Sequence, residues 1–139
     1  MATDDIDSVL EELEKRGLRL TPQRMLITRI VLSMIKDHPS LRDIHSRVRE
    51  VLPRTGIATT FNTLRLLEET GVITKFESDG KVRYDKAEPH INLVCQDTGE
   101  VVDIEDHGIV KEIEELARSK LKARITGIYI NAKCREDPS

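Results

Sequence analysis

The sequence predicts an α+β fold: a helical first half closed by a β-hairpin, then a smaller second half of strands and one helix. Three observations predict it. Apolar residues recur at helical spacing in four successive stretches before Gly71. Ser78-Asp79-Gly80 then separates two short strand-like runs, a strong hairpin signal. Beyond Lys86-Ala87-Glu88-Pro89, which reads as a linker, short strands flank one further helical stretch.

The elements follow in order. A first helix is expected from about Thr3–Asp5 to Gly17, with Ile6, Leu10 and Leu13 as its buried stripe. Thr21 and Pro22 supply an N-cap and a first helical position where a missing N–H costs nothing. Leu26, Ile30, Val31 and Met34 form the stripe of that second helix. Ser40, with Asp43 three residues on, makes a capping box for a third helix. Its inward residues are Leu41, Ile44, Val48 and Leu52, and Pro53 stops it.

A fourth helix is expected from about Thr59 to Thr70, ended by Gly71. Ile57, Phe61, Leu64 and Leu67 fall on one side, which leaves Thr59, Asn62, Thr63 and Arg65 for the other. Strands at Val72–Glu77 and Lys81–Asp85 close the first half. Helices followed by a hairpin in this order make a winged helix-turn-helix, with the fourth helix as its reading element.

The second half reads as strands Ile91–Cys95 and Glu100–Ile104, turning through Asp97-Thr98-Gly99. A helix from about Gly108 to Lys122 buries Ile109, Ile113, Leu116 and Ala117, and a last strand spans Arg124–Asn131. So small a piece leaves a sheet edge and an apolar face to cover. The expected organisation is a winged-helix DNA-binding domain at 1–85, a linker at 86–89 and a small α/β dimerisation domain at 90–139.

Composition narrows the function. The chain has 139 residues, enough for one ordinary domain or two small ones. No apolar run approaches the roughly 18 residues of a membrane span, and the acidic start MATDDIDSVL lacks the pattern of a signal peptide. The expected location is the cytoplasm, with no membrane partner. A net charge of −3 argues against nucleic acid, but between Lys15 and Arg65 eleven basic residues face three acids. Phosphate binding needs local positive charge, not a basic total; solvated helix faces are the bland alternative. His45 reads as a solvated helix residue, and His107, beside Glu105 and Asp106, as a solvated helix start. The chain shows no nucleophile motif, glycine-rich phosphate loop or fixed general base, so no enzyme is expected. The alternative in that class is a mononuclear metal enzyme.

GLRLTPQR, HPSLRDIHSRV, IATTFNTLRLLEETGVI, VRYD and HINLVCQDTGEVVDI stand in this order with consistent spacing. Together they resemble the ferric uptake regulator family over nearly the whole chain. The resemblance implies a dimeric, metal-responsive repressor of metal homeostasis or oxidative-stress genes, acting on double-stranded DNA at a pseudo-palindromic operator. The outward face of the fourth helix and the basic residues near it are expected to make the DNA contacts: Arg19, Arg24, Thr59, Thr60, Asn62, Thr63 and Arg65, with Lys81 and Tyr84 on the wing. The resemblance assigns one divalent metal per subunit, Fe2+ or Mn2+ in the cell and Zn2+ on purification, to His38, Asp85, His90, Asn92 and Asp103.

The chain departs from the family pattern in two places. Asn92 stands where the family has a second imidazole, leaving a harder donor set suited to Mn2+ or Fe2+. Asp103, with Asn62 and Leu66, resembles the peroxide-responsive branch. There Fe2+ reacts with peroxide and the ligating histidines, here His38 and His90, are oxidised; Asn92 departs from that reactive set. Each CxxC pair of the family also keeps only its first cysteine, Cys95 and Cys134. A four-thiolate zinc site within one chain is thereby lost, and no structural zinc is expected. Two inert thiols are the leading expectation. A disulfide, or a two-cysteine site completed by Asp97, Asp137 or water, are the others. The regulator-class alternative is a winged-helix protein that has lost metal control.

Overall fold

The structure, a computed structural model, describes residues 6–135. The expected start of the first helix at Thr3–Asp5 and the candidate ligand Asp137 lie outside the described residues. The chain divides into two compact units. Among the described residues, one holds those up to Glu77 together with Lys81–Lys86; the other holds Ser78–Gly80, the tip of the hairpin, and those from Ala87 onward.

The first unit contains α1 (Ile6–Lys15), α2 (Pro22–Met34), a single 3-10 turn (Ile35–Asp37), α3 (Leu41–Val51) and α4 (Ile57–Glu69). The hairpin β1 (Ile73–Ser78) and β2 (Lys81–Lys86) follows. The caps form where the sequence sets them. Thr21 Oγ1 accepts the Arg24 N–H at 3.2 Å, with Pro22 opening α2. Ser40 and Asp43 cap reciprocally, at 3.1 and 3.0 Å. Asp79 and Gly80 both take positive φ, 52° and 74°. That is the backbone a two-residue hairpin loop requires and glycine supplies readily. The core of this unit joins Val9 and Leu13 of α1, Ile27 and Val31 of α2, Ile44 and Val48 of α3 and Leu64 and Leu67 of α4.

Two stripes differ from the expectation. In α2, Ile27 is fully buried while Leu26 and Met34 are only partly so. In α4, Ile57 and Phe61 are 53% and 41% exposed, while Thr60 and Thr63 are fully buried. Leu64 and Leu67 set the inward face, and one turn back from each lies a threonine, not Phe61. The buried hydroxyls are satisfied: Thr63 Oγ1 donates to the Thr59 carbonyl at 2.9 Å, and Thr60 Oγ1 meets His45 Nδ1 at 2.9 Å. His45 is therefore a partner of α4, not the solvated residue expected.

The second unit contains β3 (Ile91–Cys95), β4 (Val101–Ile104), α5 (His107–Leu121) and β5 (Ile128–Ala132). Its sheet has the order β4-β3-β5, with β3 antiparallel to β4 and parallel to β5. Asp106 caps α5, accepting the Ile109 N–H at 3.1 Å. The last strand begins later than expected, at Ile128. On α5 the expected burial also fails: Val110 is buried, while Ile109 and Leu116 are 48% and 58% exposed. With Val102, Ile104, Leu121 and Ile130 they form the large exposed apolar residues of this unit. A three-stranded sheet in one chain covers too little of the helix. Among the described residues, no helix is long and apolar enough to cross a membrane.

Candidate functional site

The helix pair α3–α4 carries the candidate nucleic-acid surface. Asn62 and Arg65 project from the exposed side of α4. A shallow surface depression gathers them with Arg24, Leu66 and Glu69. Arg65 Nη2 rests 3.5 Å from Glu69 Oε1, both side chains exposed. Arg19 and Lys81 are exposed, and Thr59 is half-buried. Exposed cationic and amide groups on one helix suit phosphate contact and base-edge reading.

Three expected DNA contacts are corrected. Thr60 and Thr63 lie on the buried side of α4, as above. Tyr84 is 3% exposed and belongs to the core, its backbone N–H donating to the Pro39 carbonyl at 2.9 Å. Burial raises the Tyr84 phenol above its ordinary range, with the Glu68 charge adding to it. A β-strand alternates faces, which would place Tyr84 on the side of exposed Val82; β2 departs from that alternation, and burial runs through Tyr84 and Asp85 together. The outer face of α4 also presents Ile57 and Phe61, which sequence reasoning placed inside.

The expected metal donors form one group in each unit. In the first, His38 closes the 3-10 turn in the left-handed region, φ 51°. That conformation costs a non-glycine residue about 1–3 kcal/mol, so the surroundings must hold it. They do: Arg83 Nε donates to the His38 carbonyl at 2.8 Å, and Ser40 bridges to Arg83 as in an antiparallel pair. The His38 ring meets Phe76 edge-on, centroids 5.7 Å apart. Its Nε2 lies 3.6 Å from Asp85 Oδ1, and both side chains are buried. Asp85 Oδ1 also accepts the Lys86 N–H at 2.9 Å.

In the second unit, His90 precedes β3, Asn92 lies within it and Asp103 stands opposite Asn92 on β4. His90 Nε2 is 3.0 Å from Asn92 Oδ1 and 3.6 Å from Asp103 Oδ1, and His90 Nδ1 is 2.7 Å from the Glu88 carbonyl. Imidazole nitrogens beside carboxylate and amide oxygens are the donors that Fe2+, Mn2+ and Zn2+ accept. A carbonyl on the second ring nitrogen is the usual support of a ligating histidine. The donor types of both groups thus suit a divalent metal, which would supply charge that orders its ligands.

Cys95 and Cys134 form a disulfide, with their Cα atoms 5.5 Å apart. This corrects the leading expectation of two inert thiols. The parallel pairing of β3 with β5 sets Cys95 opposite Ala132 and carries the chain on to Cys134 beside it. Asp97, offered above as a ligand, instead accepts the backbone N–H groups of Cys134 and Arg135, each at 2.9 Å. The Cys134 amide first, and then that of Arg135, hold its carboxyl below the usual carboxylate range.

The chain is 36% identical over 126 residues to the ferric uptake regulation protein of Bacillus subtilis, covering 86% of this chain and 84% of that one. It is 30% identical over 133 residues to the peroxide operon regulator of the same organism, covering 94% and 87%. The structure of the ferric uptake regulator from Pseudomonas aeruginosa with manganese superposes with a TM-score of 0.67 at 29% identity, covering 89% of this chain and 97% of that one. The profile of the ferric uptake regulator family matches residues 15–131. With a helix-turn-helix and hairpin up to residue 86, and a three-stranded sheet with one helix after it, the chain belongs to the ferric uptake regulator family.

Proposed function

We propose that this protein is a metal-responsive, homodimeric repressor that binds double-stranded DNA through α4 and its neighbours. The carrying observation is a family match spanning both units, in a chain whose His/Asp donors come from both. His38 and Asp85 belong to the first; His90, Asn92 and Asp103 belong to the second. A single divalent ion held by all five selects one domain arrangement, and only a difference in affinity between arrangements can control DNA binding. The donor chemistry favours Fe2+ or Mn2+ as the cellular ion, with Zn2+ acquired on purification. The exposed apolar residues of α5, β4 and β5 support dimerisation. A two-fold dimer reads a pseudo-palindromic operator. The genes controlled are those of metal homeostasis or oxidative stress. Neither a metal-independent regulator nor a metal enzyme is favoured by relatives named as ferric uptake and peroxide regulators.

The test couples metal analysis to DNA binding. Purified protein is assayed for bound metal by mass spectrometry, then titrated with operator DNA before and after chelation. Metal-loaded protein is expected to bind more tightly by about 1–3 kcal/mol. Equal affinity in both states would transfer the proposal to a metal-independent regulator. Sedimentation showing only monomer at micromolar protein would remove the dimer.

A further inference from the structure

Asn92 is fully buried. A buried amide must satisfy both a donor and an acceptor end. Here the two ends are committed in different directions. Nδ2 lies 3.3 Å from the Ile128 carbonyl across the parallel β3–β5 pairing. A carbonyl only accepts, so the NH2 group must face it and the amide cannot flip. The oxygen is therefore held toward His90 Nε2, 3.0 Å away.

His90 is oriented by the same logic. Its Nδ1 faces the Glu88 carbonyl at 2.7 Å, again an acceptor, and this contact fixes the ring. Nε2 is then the nitrogen presented beside Asn92 Oδ1 and Asp103 Oδ1. One imidazole nitrogen, one neutral amide oxygen and one carboxylate oxygen converge within a single sheet unit. Two of the three are hard oxygen donors.

We propose that Asn92 is the specificity-determining residue of the metal site, its fixed amide oxygen favouring hard Mn2+ relative to Co2+ and Zn2+. The latter two gain more from a nitrogen donor than Mn2+ does. The Ile128 carbonyl is part of the device, because it decides which end of the amide reaches the site. This rests on the reading of His90 and Asp103 as metal ligands.

The test uses full-length protein with the disulfide intact, so that thiols do not compete for metal. Dissociation constants for MnCl2 and CoCl2 are measured by calorimetry, with the Co2+ d–d absorption as a second readout. The variants are Asn92→His, Asn92→Asp and, as the control for the site, Asp103→Ala. In Asn92→His, Co2+ affinity should rise about 10- to 100-fold, with a far smaller change for Mn2+ and an altered d–d spectrum. Asn92→Asp keeps an oxygen in nearly the same volume, so the Co2+-to-Mn2+ ratio should stay close to that of the parent. If Asn92→His fails to melt cooperatively, the Asn92→Asp ratio decides alone. Equal changes for both ions in Asn92→His, or a shifted ratio in Asn92→Asp, would overturn the proposal while leaving the metal site standing. Binding that ignores Asp103→Ala would overturn the ligand reading, and the proposal with it.

Discussion

Thr60 Oγ1 on α4 lies 2.9 Å from His45 Nδ1 on α3, so a hydroxyl–imidazole hydrogen bond joins the two helices of the reading head. Thr60 is fully buried there. A Thr60→Val change keeps the shape and removes the partner of the ring nitrogen. It should destabilise the fold by about 1–3 kcal/mol, the usual cost of an orphaned buried group. Urea unfolding measures this. Because Thr60 does not face DNA, operator affinity measured well below the unfolding transition should change little. A large affinity loss with unchanged stability would return Thr60 to the contact surface.

Arg65 and Arg24 line one depression but should behave differently. Arg65 projects from the exposed side of α4, the helix proposed to read base edges. Arg65→Ala should cost about 1–3 kcal/mol and relax discrimination at one operator position. Arg24 lies near the start of α2, and its loss should weaken all sequences alike and lower the salt slope by about one. Fluorescence anisotropy across a salt series separates the two. Unchanged operator affinity in an Asn62/Arg65 double variant would identify a different reading helix.

Asp43 links the fold to pH. The Ser40 backbone N–H is the main cause holding its carboxyl below the ordinary value. Burial opposes it, and the Ser40 hydroxyl and the charges of Arg83 and Lys81 add to it. A carboxyl lowered in the folded state contributes stability above its unfolded value and loses it as pH falls through the folded one. Acidification below about pH 4 should therefore release the α3 cap. Asp43→Asn should be less stable than the parent near neutrality and should show a flatter acid limb. Parallel limbs in urea unfolding at several pH values would assign the acid sensitivity to another group.

The Cys95–Cys134 disulfide links residues 39 apart in sequence. In the chain-entropy account, a loop of that size is worth about 2–4 kcal/mol. Adding a phosphine reductant should lower the urea midpoint, and a Cys95→Ser/Cys134→Ser variant should match the reduced parent. If the Cys95→Ser/Cys134→Ser variant instead loses a metal ion that the parent retains, the two sulfurs hold that ion.

The sequence by itself determined the features whose interactions span about four residues. Thr21 with Pro22, Ser40 with Asp43 and Asp79 with Gly80 cap and turn the chain through atoms that are neighbours in any fold. The element order follows from them, and so does the winged helix-turn-helix. The rotation of α4 was not legible, because a helical period fixes spacing while packing partners fix phase. Threonine carries both a methyl and a hydroxyl, so Thr60 and Thr63 can face a core that supplies hydrogen-bond acceptors. Tyr84 was lost to the core for a related reason: a phenol suits either surface, and the chain does not say which until β2 is paired. The identities of His38, Asp85, His90, Asn92 and Asp103 were readable as donor types. Their geometry depended on long-range contacts, the Arg83 bond to His38 across 45 residues and the Asn92 bond to Ile128 across 36. The union of Cys95 with Cys134 likewise required β5 to lie parallel beside β3. Such contacts require chain segments far apart to be closed together, and only the assembled sheet does that.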